Sequence, residues 1–257
     1  MHNVRIIARL DVKGENLVKG VHLEGLRKLG DPREFARRYY AQGIDEIILI
    51  DIVASLYERN SLLHLVERTT SEVFIPITVG GGLRSVLDVQ KALRAGADKV
   101  AICTAALKRP ELVREIAGTF GSQCMVVDIQ AKRNAPGKWE AYFDNGREHS
   151  GRDVVEWAKQ VADLGAGEIL LTSVDREGTG KGMDLELIQK VTAAVPIPVI
   201  VSGGVGSADD FADAVQIGKA DAVAMAHVLH YNHQTVGQLR THATTRGVPV
   251  RRFEPVA

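Results

Sequence analysis

A chain of 257 residues can form one barrel-sized domain or two smaller ones, and its 45% hydrophobic, 25% charged and 5% aromatic residues can bury a sizeable core. A formal net charge of zero argues against a nucleic acid or an anionic membrane as the main partner. Two cysteines, Cys103 and Cys124, are too few for a disulfide scaffold and point to a reducing compartment.

The opening stretch MHNVRIIARLDVKG has only a short apolar run broken by arginines, so neither a signal peptide nor a membrane span is expected and the protein reads as cytoplasmic. From there β-rich runs alternate with amphipathic segments of helical length. The predicted strands are Arg5–Asp11, Glu46–Asp51, Ile75–Val79, Lys99–Ile102, Met125–Gln130, Glu168–Ser173, Val199–Ser202 and Ala222–Ala226. Asp31-Pro32 caps a helix running through Gln42, and Ser85 caps another through Ala95, each followed by glycine. Eight strands alternating with eight helices predict an α/β fold, a closed (β/α)8 TIM barrel occupying residues 1–257 as a single domain. Two longer connections, Val12–Leu29 and Ala131–Arg152, follow the ends of the first and fifth strands, on the face where barrels place their active sites. Within the second, KWEAYFDNGRE (Lys138–Glu148) alternates around Asn145-Gly146 and predicts a β-hairpin serving as a lid or partner surface.

An internal repeat refines this picture. TVGGGLRSVLD (Thr78–Asp88) returns as IVSGGVGSADD (Ile200–Asp210), with Gly81, Gly82, Ser85 and Asp88 recurring as Gly203, Gly204, Ser207 and Asp210. Two copies of this length imply two half-barrels, about residues 1–122 and 123–257. Glycines at a strand end that opens into a helix leave backbone N–H groups bare beside a positive helix end, which suits a phosphate. Gly81 and Gly82 would join Cys103 and Thr104 in one grip, and Gly203 and Gly204 would join Ala226 and His227 in the other. Two grips across one mouth call for a long small-molecule substrate with a phosphate at each end. The same glycines also suit tight turns.

The strings LDVKGENLVKGV, GDPREFARRY, EIILIDIVAS, FIPITVGGGLRS, AGADKVAI, FGSQC, GAGEILLTSVDREGT and IPVIVSGGVGS resemble the cyclase subunit family of imidazole glycerol phosphate synthase, from about Val4 to Arg251. The resemblance implies a half-barrel duplication. It also implies a lyase of histidine biosynthesis that takes ammonia from a separate glutaminase, docked at the N-terminal barrel face near Asp98. That ammonia would split and cyclise a bis-phosphorylated ribulosyl-formimino nucleotide into imidazole glycerol phosphate and an aminoimidazole carboxamide ribotide. Asp11 matches the family's first catalytic aspartate and Lys19 its mobile-loop lysine. Arg5, Glu46, Lys99 and Glu168 match its charged ring at the barrel base, an ammonia gate. No cofactor, metal, nucleic acid or membrane is implied.

The chain departs from that pattern at Gln130, which stands where the family has its second catalytic aspartate and where an amide cannot exchange a proton near neutral pH. Glu177, Cys103 and His227 replace a family aspartate, asparagine and serine. These departures leave two alternatives: a paralogue delivering ammonia to another acceptor, such as a sugar amidinated for surface polysaccharide, or a non-catalytic scaffold that activates a glutaminase. His227, His230 and His233 have helical spacing without an accompanying carboxylate or cysteine, so no metal site is expected. Finally, Arg9 and Asp128 occupy matching inward positions of the first and fifth strands, which predicts an ion pair across the bore, one layer beneath the mouth.

Overall fold

The structure is a computed structural model that describes residues 3–54 and 61–253. In chain order its strands are β1 (Arg5–Lys13), β2 (Asn16–Val21), β3 (Glu24–Gly30), β4 (Glu46–Asp51), β5 (Ile77–Gly80), β6 (Lys99–Ile102), β7 (Met125–Ala135), β8 (Lys138–Phe143), β9 (Glu148–Asp153), β10 (Glu168–Ser173), β11 (Val199–Ser202) and β12 (Ala222–Met225). Eight of them pair in parallel in the order β1-β4-β5-β6-β7-β10-β11-β12, and β12 returns to β1. The sheet closes and keeps no edge: the molecule is a (β/α)8 barrel. The third strand starts later than expected, at Ile77, because Pro76 has no N–H to give and uses its carbonyl to accept from Ile47 instead.

The pleat sorts each strand into two faces. Along β1, Ile6, Ala8 and Leu10 join the large core between sheet and helices, whereas Ile7 belongs to the smaller cluster inside the bore with Ile48, Val126, Leu170 and Ile200. Each such side chain contributes about 1.5–3 kcal/mol on burial, so the outer shell carries most of the stability. At the barrel base, the carboxylates of Asp45, Asp98 and Asp221 each accept a backbone N–H from a neighbouring strand, those of Ile6, Ile77 and Val199, at 2.8–2.9 Å.

Helix starts follow the expected caps. Asp31 accepts from the N–H of Arg33, and the helix it caps ends with Gln42 in the C-cap position. Ser85 accepts from Asp88 N–H, and its repeat Ser207 forms a full capping box with Asp210. The repeated serine and aspartate are therefore helix caps first.

Both long connections are more regular than expected. β2 and β3 continue from β1 as an antiparallel hairpin, and β8 and β9 continue from β7 in the same way. The hairpin turn spans Asp144, Asn145 and Gly146, all left-handed at φ 48°, 60° and 74°. Opposite ends of the chain are tied together where Tyr39 Oη and His230 Nδ1 meet at 2.6 Å with stacked rings.

Ser207→Ala removes a cap and should cost about 0.5–2 kcal/mol in urea unfolding with an unchanged denaturant slope. Burial, reinforced by the Lys19 ammonium, pushes the His230 imidazole down to about 3. An unfolded histidine takes a proton below about 6.5, so the stabilisation is complete above that pH and is lost as pH falls from 6.5 towards 3. Acid melts of wild type should show this slope, and His230→Asn should flatten it.

Candidate active site

The C-terminal strand ends surround a cavity of 380 Å³ whose lining includes Asp51, Gly81, Gly82, Cys103, Thr104, Asp128 and Gln130. Beneath it lies Arg9, fully buried on β1. Its Nε donates to Asp11 Oδ1 at 2.9 Å and its Nη1 donates to Thr172 Oγ1 on β10 at 2.8 Å. The expected Arg9–Asp128 pair does not form. Residues two apart on a strand share a face, so the guanidinium takes Asp11 of its own strand as its ion-pair partner, and the part that crosses the bore is taken by the Thr172 hydroxyl and not by Asp128. Burial alone would raise the pKa of Asp11, but the Arg9 guanidinium and the Lys19 ammonium outweigh it and hold the carboxyl below its ordinary value.

Asp128 is held from its own strand instead. Gln130 Nε2 donates to Asp128 Oδ2 at 3.2 Å, while Asp128 Oδ1 is buried without a hydrogen-bond partner. Burial, helped by the Asp11 charge, pushes this carboxyl up, against the opposing pull of Arg9, Gln130 and the nearby Thr172 hydroxyl. The other end of the Gln130 amide is also used: Oε1 accepts the N–H of Gly146 at 2.6 Å. The β8–β9 turn, expected to be only a lid or partner surface, thus borders the cavity through Asp144 and Asn145 and fixes Gln130. Asp144 is in turn tied to Thr104 at 3.2 Å.

Lys19, expected in the long connection after the first strand, is in regular structure. It lies in β2, is 3% exposed, and forms an ion pair with Glu177, which is equally buried. His22 reinforces the closure, its backbone N–H donating to Glu177 O at 2.8 Å and its Nδ1 donating to Val174 O at 3.0 Å. The β2–β3 hairpin is latched down over the mouth.

The two glycine grips have equivalent backbones. Gly81 and Gly203 are left-handed at φ 96° and 98°, and a Cβ on them would come within 2.1 Å of Asp51 O and 2.7 Å of Ser173 O. Close backbone approach demands glycine here whether or not an anion binds. The first grip opens into the cavity, with Arg84 and Lys108 on its wall. The second, bounded by Glu177, Gly204, Ala226 and His227, encloses a cavity of only 10 Å³. Neither replaced residue supplies charge near neutral pH, because burial raises the Cys103 thiol pKa, helped by Asp128, and lowers the His227 imidazole, helped by His233. The three histidines do not converge: His227 stacks on His233 at 5.2 Å, while His230 turns inward to Tyr39.

At the opposite end of the bore Arg5, Glu46, Lys99 and Glu168 form a closed ring of alternating charge. Arg5 meets Glu46 and Glu168 at 2.8 Å each, and Lys99 meets them at 3.2 and 2.9 Å. Burial works against the charge on Arg5, but the two glutamates outweigh it. Asp51 and the latch role of Glu177 were not singled out from sequence. Asp51 ends β4 at the mouth, a strand-end carboxylate visible in the sequence, and burial raises its pKa against an N–H bond from Val53.

Comparison with known proteins agrees with this architecture. Residues 5–235 match the model of the family described as histidine biosynthesis protein. Imidazole glycerol phosphate synthase subunit HisF of Legionella pneumophila is 62% identical over 211 residues, which are 82% of this chain and the whole of that protein. Among the described residues no helix is long and apolar enough to cross a membrane, and no histidine, cysteine and carboxylate cluster has the arrangement of a metal site. The chain therefore belongs to the histidine biosynthesis protein family and is within it a cyclase of the imidazole glycerol phosphate synthase type.

Proposed function

We propose that this single barrel uses ammonia from a separate glutaminase to split and cyclise the bis-phosphorylated ribulosyl-formimino nucleotide, releasing imidazole glycerol phosphate and an aminoimidazole carboxamide ribotide. The observation that carries this reading is the position of Asp11, a carboxyl kept ionised at a mouth with a glycine grip on either side. Ammonia must attack a ketone and water must leave, after which a second attack closes the imidazole. Each step moves protons, and Asp11 is placed to take and return them. Lys19 closes the hairpin over the reacting imine and keeps bulk water out.

The glutaminase docks at the N-terminal face, where Asp98 is exposed and the Arg5/Glu46/Lys99/Glu168 ring gates the bore. A second reading, transfer of ammonia to another acceptor such as a sugar, is favoured by Gln130, whose amide is hydrogen-bonded at both ends and cannot replace a carboxylate. The deciding experiment gives the purified, folded chain an ammonium salt at high pH and follows consumption of the ribulosyl-formimino substrate. Turnover supports the first reading; none at all overturns it in favour of the second.

In that assay Asp11→Asn should lower kcat by about 10²–10⁴-fold, the usual contribution of a general acid–base group. With a glutaminase present, Lys99→Ala should lower glutamine-supported turnover about tenfold, or about 1.4 kcal/mol, while ammonium-supported turnover stays near wild type. Equal loss in both assays would remove the gate.

A further inference from the structure

Asp128 is a buried titratable group with no part in proton transfer by Asp11 or closure by Lys19. It lines the 380 Å³ cavity, and its Oδ1 is buried with no hydrogen-bond partner while its Oδ2 is held by Gln130. A buried carboxyl oxygen left without a partner is costly unless it carries a proton or meets a ligand. The orientation of Gln130 is not free. Gly146 N–H can only be accepted by Oε1, so the NH2 group must face Asp128.

We propose that Asp128 is a second proton-exchanging residue of this reaction, one pleat repeat below the mouth, and that Gln130 is the positioning residue that holds it. This rests on the cyclase reading and deepens it. Asp11 and Asp128 share one bore yet are driven apart: Arg9 and Lys19 keep the first ionised, and burial holds the second towards its neutral form. A pair separated in this way divides into base and acid.

In the first step ammonia forms the C–N bond, the carbonyl π pair moves to oxygen, and that oxygen takes the Asp128 proton. The surplus proton on nitrogen passes to Asp11. In the second step the C–O bond breaks, Asp11 returns its proton to the departing hydroxyl as water, and Asp128 takes one from nitrogen as the C=N bond forms. Ketone and ammonia become imine and water, and both carboxyls are restored. The charged or titratable groups that act on Asp128 are Arg9 and Asp11 on β1 and Cys103 beyond β6, with Asp144 of the hairpin turn on the same cavity wall, while Glu177 and Lys19 act on it through Arg9 and Asp11.

The test compares wild type, Asp128→Asn and the swap Asp128→Asn/Gln130→Asp in ammonium-supported turnover, with folding checked by thermal melts. Asp128→Asn should lower kcat by about 10²–10⁴-fold with KM within about threefold, and the swap should regain at least about tenfold. Gln130→Met keeps Asp128 but removes its amide donor, so the alkaline limb of the kcat profile should move to higher pH. Asp128→Asn within about threefold of wild type, a folded swap with no recovery, or an unmoved Gln130→Met profile overturns the assignment. Absence of wild-type turnover instead sinks the cyclase reading and this inference with it.

Discussion

Closing eight strands into a barrel sends every second side chain into a bore from which water is excluded, and whatever is polar there must find its partner inside. The four charges at the base meet this constraint by alternating around a ring, and an apolar layer containing Ile7, Ile48, Val126 and Leu170 follows. Above that, the Arg9 guanidinium must be neutralised locally, and Asp11 does it. The charge on Asp11 is thus a by-product of burying Arg9. A buried ion pair of this kind is a weak source of stability. It is a strong way to set a protonation state.

The two halves of the barrel show how a repeat can be kept for one reason and used for another. Ser85 with Asp88 and Ser207 with Asp210 persist because each starts a helix, and the paired glycines persist because a carbonyl oxygen lies where a Cβ would go. None of this concerns a substrate. The residues beside the glycines are free to diverge, and Cys103 and Ala226 have done so on equivalent strands. Likewise both halves grow a hairpin from their first strand, but one supplies a latch lysine and the other a backbone N–H to Gln130.

What could be read in the chain were its local rules. Period-two alternation placed the strands and their inward faces, and Asp31-Pro32 and Ser85 placed two helix starts. The base ring could be located because charge at a strand's beginning must point somewhere, and the resemblance said where. What could not be read was the reach and choice of partner. Alternation put Arg9 and Asp128 on inward faces but said nothing of how far a guanidinium travels, and the carboxylate two residues away won. Gln130 depends on Gly146 and Lys19 on Glu177, contacts that need the hairpins folded back first. β2 and β3 themselves were hidden because Gly20 and Gly25 interrupt their alternation and Lys19, Glu24, Arg27 and Lys28 break up their apolar residues.

The latch formed by Lys19 and Glu177 also sets an order of events. The cavity of 10 Å³ at the second grip is far tighter than the one at the first, with room for about one water. The first grip, opening into the larger cavity, is ready in the resting molecule. The proposed doubly phosphorylated substrate would then anchor by one end, tethered at high local concentration, until the hairpin lifts and its far end can seat. Observed affinity is then intrinsic affinity scaled by the fraction of time the latch is undone. On that proposal a single phosphate would fit the roomy grip without disturbing the latch, and only the full-length molecule would gain by opening it.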